Sequence, residues 1–366
     1  MSESRKKLRV LIVDDSAVVR QILSKGLAQD SELDVIGTAG DPFVARDKIL
    51  RDRPDVITLD IEMPKMDGLT FLKRLMEHYP IPVVILSSLA AHGTDVALKA
   101  LECGAIDVFP KPKCDVKHGL TETMFRLAQA VKAAAHARMP NLRVNRDVSL
   151  SQPRPREIPA ATGLQTTDGI IAMGASTGGT EALKTVLSAM PPDSPGIAAV
   201  IHMPENFTQR YAERLNDLCA IDVSEARDGD WVHPGRAIIA RGDHHLSIVR
   251  SGARFVAQVR KGPAICHHRP SVEVLFQSVA NSAAGNSMGV IMTGMGADGA
   301  DGMVAMKKAG AHTVAQDEAT CVVFGMPREA IERGGAVSVL PIDQIAAECV
   351  RWSHARAALG CVSPGR

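Results

Sequence analysis

A short β-branched run followed by an amphipathic stretch recurs five times between residues 8 and 125. The candidate strands are LRVLIV, DVIGTA, DVITLD, PVVILSS and IDVF. The segment Ala17–Gln29 between the first two places its apolar residues on one face at helical spacing. Near-continuous apolar strands that alternate with helices indicate a parallel sheet covered on both faces. The sequence therefore predicts an α/β fold with a doubly wound sheet in its first part.

The character of the chain changes near residue 127: a helix is expected to continue through Leu127–Arg138, and the alternation of strands and helices resumes after residue 168. The stretch MPNLRVNRDVSLSQPRPREIPAATGLQTT has four prolines and no apolar periodicity, which is typical of a linker. The strand GIIAMG then opens a second series of strands and helices, with a strand and hairpin-like region over 222–259. We expect a first domain over 1–125, a linker over 126–167 and a second domain over 168–360. The second domain is predicted to be doubly wound, mainly parallel and α/β.

The net charge of +1 is unevenly distributed along the chain. Residues 1–125 carry 17 basic and 19 acidic side chains, 126–167 carry 7 and 2, and 168–366 carry 18 and 20. Both predicted domains are near neutral and only 3% of residues are aromatic, so we expect no nucleic-acid surface. The sequence has no window near the ~18 apolar residues of a membrane span. Seven scattered cysteines without CxxC spacing favour reduced thiols, and we expect a cytoplasmic protein.

Polar side chains follow the strands of the first domain. Asp14 and Asp15 follow the first strand, Asp60 ends the third, Ser87 ends the fourth and Lys111 follows the fifth. In a doubly wound sheet these positions reach one edge. Three carboxylates together need a cation, and oxygen ligands suit Mg²⁺, so that Asp60 can act as a nucleophile toward phosphorus. Each residue taken alone is more often part of a strand-end turn or a helix cap, and only the whole set favours a site.

The whole set resembles a response-regulator receiver domain over about the first 125 residues. The motifs are DD after strand one, D-x-x-M-P-x-M-D-G after strand three, a serine after strand four and K-P after strand five. The resemblance implies a flavodoxin-like (βα)5 fold and phosphorylation of Asp60. It also implies Mg²⁺ bound by Asp14, Asp15 and Asp60, and a switch through Ser87 and Lys111.

A glycine-rich turn, Gly174–Gly179, follows the first strand of the second domain. Such a turn can cradle an anion with its backbone N–H groups, or it can raise a nucleophilic serine, here Ser176, in a G-x-S-x-G elbow. A dinucleotide fingerprint would place glycine at position 176, and no P-loop lysine follows, which weakens the anion cradle. A plain structural turn stays open on this motif alone.

Two further residues are predicted to reach the edge that carries Ser176. His202 ends the next strand, and Asp298 follows the strand SMGVIMTG in a glycine-rich turn. A serine nucleophile needs a base and a carboxylate that orients the base, so the three form a candidate catalytic triad. Their chain order differs from the Ser-Asp-His order of α/β-hydrolases.

Other residues compete for these roles. His244–His245 and His267–His268 are adjacent pairs, whose members would point to opposite faces of a strand and so cannot both serve one centre. Asp301 is an alternative to Asp298, which a turn or a helix cap would also explain. The histidines lack HxH or HExxH spacing, which argues against a metal centre.

The second domain resembles the catalytic domain of chemotaxis protein-glutamate methylesterases. The resemblance rests on the Ser-His-Asp order and on GASTGG, HMPENFT, HRPSVEVLF, MTGMGADGADGM and AQDEATCVVFGMPREAI, and it covers most of 168–340. With a receiver in front, the architecture is similar to that of the CheB family, the protein-glutamate methylesterase/protein-glutamine glutaminases. The resemblance implies that Ser176 is the nucleophile, His202 the base, Asp298 its orienting carboxylate, and the backbone N–H groups of Thr177 and Met295 the oxyanion donors.

The resemblance also implies a function and partners. It implies hydrolysis of glutamyl methyl esters and deamidation of glutamines on the cytoplasmic helices of chemoreceptors, which mediates chemotactic adaptation. A chemotaxis histidine kinase would donate the phosphoryl group, Mg²⁺ would serve phosphorylation, and hydrolysis would need no cofactor. By family precedent, the unphosphorylated receiver covers the active-site cleft. We expect a monomer that neither binds nucleic acid nor inserts into a membrane.

Three alternatives remain at this point. The same chemistry can serve a receptor array unrelated to motility. The glycine-rich turn can belong to a phosphate-binding signalling module without catalysis. A DNA-binding response regulator is disfavoured, because the second half shows α/β alternation without a helix-turn-helix pattern or a basic recognition helix.

Overall fold

The computed structural model describes residues 6–63, 67–88, 91–112, 117–139 and 169–360. Contacts within the chain divide it into two compact units, Met1–Arg146 and Asp147–Arg366. Each unit has its own sheet, and each is described by itself below. Residues 140–167 of the predicted linker lie outside the described residues.

The first unit is built on a five-stranded parallel sheet. Its strands are β1 (Leu8–Val13), β2 (Leu33–Ala39), β3 (Val56–Asp60), β4 (Val83–Ser87) and β5 (Asp107–Pro110), and its helices are α1 (Ala17–Leu27), α2 (Pro42–Asp52), α3 (Gly68–His78), α4 (Ala91–Glu102) and α5 (Lys117–Ala135). The strand order is β2-β1-β3-β4-β5, and every neighbouring pair is parallel. The predicted flavodoxin-like (βα)5 fold is confirmed.

The strand order places two acidic residues beside a crevice. In the first sheet the chain reverses direction of winding between β1 and β3, and the loops that follow these strands diverge there. Asp14 comes directly after β1, and Asp60 is the last residue of β3. Their carboxylates therefore meet at the carboxyl edge of the sheet.

Helix α5 continues past the predicted domain boundary at residue 125. Leu127 and Val131 in its second half are fully buried. Lys132 lies 2.9 Å from the carboxylate of Asp30 and 2.8 Å from that of Glu32, which joins α5 to the turn before β2. The segment that we assigned to the start of the linker is thus part of the first unit, because its apolar face packs on that unit.

The second unit contains strands of two sheets. In chain order the strands are β6 (Ile170–Ala175), β7 (Gly196–Ile201), β8 (Asp222–Glu225), β9 (Trp231–Val232), β10 (Arg236–Ile239), β11 (His245–Ser251), β12 (Arg254–Arg260), β13 (Ser287–Ile291), β14 (His312–Gln316) and β15 (Ser338–Leu340). Seven of them form a sheet of order β15-β14-β13-β6-β7-β10-β8. All of its neighbouring pairs are parallel, which confirms the predicted doubly wound architecture.

The remaining three strands form a small antiparallel sheet of order β11-β12-β9. The region over 222–259, predicted as one strand and a hairpin, therefore divides between the two sheets. Strands β11 and β12 form a hairpin, whereas β8 and β10 join the parallel sheet. Leu246, Ile248 and Phe255 on the small sheet are buried in the core of this unit.

Six helices pack against these sheets in the described part of the second unit. They are α6 (Gly179–Ser188), α7 (Phe207–Leu218), α8 (Val272–Ser282), α9 (Ala300–Lys308), α10 (Met326–Glu332) and α11 (Ile342–Gly360). Among all described residues, no helix combines the length and the apolar character that crossing a membrane requires.

Helix α8 packs against β6 and α9, near the point where the strand order reverses between β6 and β13. A Cβ atom at Gly174, in β6, would lie 2.2 Å from Cγ1 of Val272, and one at Gly302, in α9, would lie 2.6 Å from Cβ of Phe276. Only glycine leaves room for α8 at these distances. The N-terminus of α8 is thereby brought to the carboxyl edge of the parallel sheet.

Candidate active site

Ser176 lies in the turn between β6 and α6. Its N–H donates to the carbonyl oxygen of Thr293 at 2.9 Å, and the N–H of Gly179 donates to the carbonyl oxygen of Ser176 at 2.6 Å. Gly178 has φ +76°, and a Cβ atom there would lie 2.6 Å from Cβ of Val322. The turn therefore needs glycine at this position, and backbone contacts on both sides fix Ser176.

His202, directly after β7, connects Ser176 with Asp298. Its Nδ1 lies 3.0 Å from Oγ of Ser176, and its Nε2 lies 2.7 Å from Oδ2 of Asp298. An ionised carboxylate only accepts hydrogen bonds, so Nε2 carries the proton and the lone pair of Nδ1 faces the Ser176 hydroxyl. The two nitrogens thus exchange the roles they have in the chymotrypsin-type template. The three predicted triad residues are brought together.

The Asp298 carboxylate is held by the N-terminus of α8. Its Oδ1 accepts hydrogen bonds from Oγ of Ser271 at 2.7 Å and from the N–H of Glu273 at 3.1 Å, and its Oδ2 accepts one from the N–H of Val272 at 2.7 Å. With His202, four donors serve this buried group. Burial by itself raises the pKa of Asp298, but the hydrogen bonds from His202, Ser271 and Val272 outweigh it and hold the pKa below its usual range. Asp298 therefore stays ionised.

Two backbone turns flank Ser176. Thr177 directly follows it, and the carbonyl oxygen of Thr177 accepts a hydrogen bond from Oγ1 of Thr293 at 3.0 Å. The second turn contains Gly294 and Met295, and a Cβ atom at Gly294 would lie 2.7 Å from Cβ of Ser176. The two predicted oxyanion donors, Thr177 and Met295, therefore belong to the turns nearest the nucleophile.

The first unit carries a second polar centre. Nζ of Lys111 lies 2.6 Å from Oδ2 of Asp60 and 3.4 Å from Oδ2 of Asp14. Both carboxylates are fully buried, whereas Asp15 is exposed. Burial raises the pKa of Asp60 to about 6, although Lys111 opposes this shift, and burial also raises the pKa of Asp14.

The three carboxylates fit a hard divalent cation. Asp14, Asp15 and Asp60 each place an oxygen within 4.8 Å of the others. Oδ1 of Asp14 and Oδ1 of Asp60 accept backbone N–H groups, at 2.9 and 3.0 Å, which leaves the Oδ2 atoms directed at the Lys111 ammonium. A set of oxygen ligands is the donor chemistry that Mg²⁺ prefers.

The predicted switch residues lie at the same edge. Ser87 ends β4, and its hydroxyl donates to the carbonyl oxygen of Ser88 at 3.1 Å. The N–H of Lys111 donates to the carbonyl oxygen of Ser87 at 3.0 Å, so the ends of β4 and β5 are joined. Ser87, Lys111 and Asp60 therefore occupy adjacent strand ends, as predicted.

Comparison with known proteins identifies both units. The family model of the CheB methylesterase matches residues 171–349, and that of the response regulator receiver domain matches residues 10–118. Protein-glutamate methylesterase/protein-glutamine glutaminase 5 of Anaeromyxobacter dehalogenans is 54% identical over 95% of this chain and 97% of its own length. The chain belongs to the CheB family of response-regulator methylesterases.

A second curated relative agrees. Protein-glutamate methylesterase/protein-glutamine glutaminase 3 of Geobacter metallireducens is 51% identical over 94% of this chain and 99% of its own length. The function of this CheB family member is thus that of a response-regulator methylesterase/glutaminase. Among solved structures, the crystal structure of the Thermotoga maritima CheB methylesterase catalytic domain is 36% identical, with a TM-score of 0.49, and the match covers 50% of this chain and 98% of that chain.

His268 is a residue beside Ser176, His202 and Asp298 of this CheB family member that sequence reasoning set aside. Its ring stacks on that of His202, with centroids 3.7 Å apart and planes 9° apart. His202, His268 and Asp298 place potential ligand atoms within 4.8 Å of one another. However, lone pairs in two parallel ring planes do not converge on one ion, and both nitrogens of His202 already face Ser176 and Asp298. Hydrogen bonding and stacking therefore explain this cluster without a metal.

Sequence reasoning also missed the groups near the start of α8 that donate hydrogen bonds to Asp298. Ser271 stands where a helix N-cap is expected, but its hydroxyl makes no capping bond and donates to Asp298 instead. The motif HRPSVEVLF contains His268 and Ser271, and it was the one signal that pointed to this stretch. Asp301, the alternative carboxylate, is exposed and pairs with Arg333 at 2.8 Å.

In the first unit, sequence reasoning missed Arg20. Its Nη1 donates to the carbonyl oxygens of Asp14 and Asp15, at 2.7 and 2.9 Å, and so holds the loop that carries both carboxylates. An arginine within a predicted helix gives no sign of this contact in the sequence.

Replacing Asp298 by asparagine tests the orienting carboxylate. An asparagine NH₂ group in place of Oδ2 would face the N–H of Val272 and could not accept the Nε2 proton of His202, whereas in place of Oδ1 it would face the N–H of Glu273. We expect Asp298→Asn to lower kcat for methanol release roughly 10³- to 10⁴-fold. The matched control is Asp301→Asn, which should stay within about twofold of the wild type, because Asp301 is exposed. Equal losses in the two variants would contradict this assignment.

The raised pKa of Asp60 predicts how Mg²⁺ binding depends on pH. A carboxyl group with a pKa of about 6 is ionised at pH 7.5 and mostly protonated at pH 5, and protons then compete with the metal. We expect the apparent Kd for Mg²⁺, measured by titration calorimetry, to rise about tenfold between these values. An unchanged Kd between pH 7.5 and pH 5 would show that Asp60 does not limit binding.

Proposed function

We propose that Ser176 is the nucleophile of the methylesterase reaction, with His202 as its base and Asp298 as the group that orients the base. The observation that carries this proposal is the unbroken chain of hydrogen bonds from Oγ of Ser176 through His202 to Asp298, at 3.0 and 2.7 Å. A phosphate cradle without catalysis would not require the hydroxyl of Ser176 to face an imidazole lone pair.

In the first half of the reaction, Oγ of Ser176 attacks the ester carbonyl and its proton passes to Nδ1 of His202. The imidazolium that forms is stabilised by Asp298, which accepts its Nε2–H. The N–H groups of Thr177 and Met295 would stabilise the oxyanion of the tetrahedral intermediate. His202 then returns the proton to the methoxide group, methanol leaves, and an acyl-enzyme ester remains on Ser176.

In the second half, His202 takes a proton from water, and the resulting hydroxide attacks the acyl-enzyme. The Ser176 oxygen leaves and regains its proton from His202, which frees the glutamate side chain. A glutamine side chain follows the same route, with ammonia in place of methanol as the leaving group. One site therefore accounts for both activities in the relatives' names.

We propose that the substrates are methylated glutamates and glutamines on the cytoplasmic helices of chemoreceptors, and that the protein acts in the cytoplasm as a monomer in chemotactic adaptation. The relatives' names support a protein substrate bearing glutamate esters or glutamine amides. A receptor array unrelated to motility would present the same chemical groups.

We propose that Asp60 is the phosphoryl acceptor, with Mg²⁺ held by Asp14, Asp15 and Asp60. Mg²⁺, when bound, would offset negative charge on the transferred phosphoryl group. The Lys111 ammonium, 2.6 Å from the Asp60 carboxylate, would pair with the phosphoryl oxygens, and the Ser87 hydroxyl would turn to donate to one of them. A chemotaxis histidine kinase would supply the group, and phosphorylation would raise the hydrolase activity.

Loss of the Ser176 hydroxyl should abolish hydrolysis. We expect Ser176→Ala to lower the rate of methanol release from methylated receptor roughly 10⁴-fold or more, because no other group replaces the attacking oxygen. Ser188→Ala, on an exposed position at the end of α6, is the matched control and should keep the wild-type rate. A Ser176→Ala enzyme with substantial activity would rule out the acyl-enzyme route.

Phosphorylation should activate the full-length chain. We expect acetyl phosphate with Mg²⁺ to raise the rate of methanol release about fivefold or more, a typical coupling between two sites. Asp60→Asn should show no increase, whereas Asp47→Asn, at an exposed position on α2, should respond like the wild type. An equal response from Asp60→Asn would place the acceptor elsewhere.

A further inference from the structure

We propose that His268 is a positioning residue for the hydrolysis: its ring fixes the plane of the His202 imidazole, so that both His202 nitrogens stay aligned with their partners. This inference rests on the proposed function of Ser176, His202 and Asp298. It assigns a role to a side chain that makes no covalent bond and transfers no proton in the reaction.

The hydrogen bonds of His202 do not by themselves fix its ring. Contacts at Nδ1 and Nε2 define a line from Ser176 to Asp298, but the ring can still tilt about that line. The lone pair of Nδ1 and the N–H of Nε2 do not lie on one line, so a tilt turns both away from their partners and weakens the bonds. A flat ring stacked 3.7 Å away, with its plane only 9° from that of His202, removes this freedom.

His268 can act in this way because its own ring is held. Its Nδ1 lies 2.7 Å from the carbonyl oxygen of Cys266 and donates to it. The backbones of Ile265 and His268 are paired by two N–H to carbonyl hydrogen bonds of 3.0 and 2.9 Å, which close a two-residue turn. The His268 ring is thus fixed to the backbone of its own turn.

The turn itself is in an unfavourable conformation that the surrounding structure maintains. Cys266 and His267 both have positive φ, 50° and 64°, although neither is glycine. Such residues persist where neighbouring contacts hold them, and they concentrate at functional sites.

The side chains of His245 and Arg269 anchor the segment on either side of the turn. Before the turn, the carbonyl oxygen of Pro263 accepts a hydrogen bond from Nε2 of His245 at 2.8 Å. After it, Arg269 donates to the Asp243 carboxylate from Nε at 2.9 Å and from Nη2 at 2.5 Å, and to the carbonyl oxygen of Gly262 from Nη1. The strained turn is therefore fixed to the loop before β11 and to β11 itself.

The same stretch of chain continues into the residues that hold Asp298. Three residues after His268, Ser271 begins the group of donors that bind the Asp298 carboxylate. One continuous segment, 265–273, therefore sets the plane of His202 and the position of Asp298 together.

The test compares three variants of the full-length chain with methylated receptor as substrate. His268→Ala removes the stacked ring, and His268→Phe keeps a flat ring without the nitrogens. We expect His268→Ala to lower kcat about 10- to 100-fold, with KM within about twofold, because misaligned groups slow the chemistry and leave substrate binding unchanged. His268→Phe should recover kcat to within about fivefold of the wild type. His354→Ala, the matched control on an exposed histidine of α11, should keep the wild-type kcat.

A small fluorophosphonate that labels Ser176 separates positioning from substrate contact. If His268 positions His202, the rate of labelling falls in His268→Ala by a factor similar to the fall in kcat and recovers in His268→Phe. The inference is overturned if His268→Ala keeps kcat within twofold, if His268→Phe restores nothing, or if the loss appears as a higher KM for receptor with unchanged labelling. Inactivity of Ser176→Ala in the same assays verifies the proposed function separately, whatever the His268 variants show.

Discussion

The contact between the Asp298 carboxylate and the N-terminus of α8 is the interaction on which the proposed catalytic centre depends. A buried carboxylate without partners would cost several kcal/mol, whereas here four donors satisfy its two oxygens. Three of those donors, on Ser271, Val272 and Glu273, reach Asp298 because α8 approaches the sheet closely, which Gly174 and Gly302 permit. The packing of α8 therefore determines where Asp298 lies, and Asp298 in turn orients the His202 imidazole. A substitution in α8 that leaves Ser176 unchanged should still disturb the site.

In both units the polar residues lie at the same kind of position in the sheet, but their surroundings shift the pKa of the central carboxylate in opposite directions. In both sheets the residues lie beside the point where the strand order reverses. Near Asp60, two buried carboxylates share one ammonium, so that burial keeps the pKa of Asp60 high and the site favours a further cation. The Asp298 carboxylate accepts hydrogen bonds from four donors, which hold its pKa below the usual range, so this carboxylate stays ionised. The first environment suits the proposed role of Asp60 as a phosphoryl acceptor, and the second suits the proposed role of Asp298 in orienting His202.

The sequence pattern predicted the features that depend on neighbouring residues in the chain, which are the strands, the helices and the turns that follow the strands. Apolar strands and their carboxyl ends could be read from the sequence, and this sufficed to bring Ser176, His202 and Asp298 together, because parallel topology places strand ends at one edge. The pattern could not reveal contacts made across long separations in the chain, such as Ser271 to Asp298 or the stacking of His268 on His202. It also treated adjacent histidines as members of a strand, whereas Cys266 and His267 form a turn that leaves His268 beside the site. The helical character of Leu127–Arg138 was predicted, but its place in the first unit was not, because its burial depends on packing against the rest of that unit.

The most direct test is the protonation of His202, since the structure assigns its proton to Nε2 and its lone pair, on Nδ1, to Ser176. Nitrogen-15 NMR of the chain labelled at histidine reports which ring nitrogen carries hydrogen, and loss of one signal set in His202→Gln identifies the residue. The account predicts that His202 carries hydrogen on Nε2 and not on Nδ1 in the wild type, and that this preference is lost in Asp298→Asn. A wild-type His202 protonated at Nδ1 would contradict it, because Nδ1 could then no longer accept the proton of the Ser176 hydroxyl.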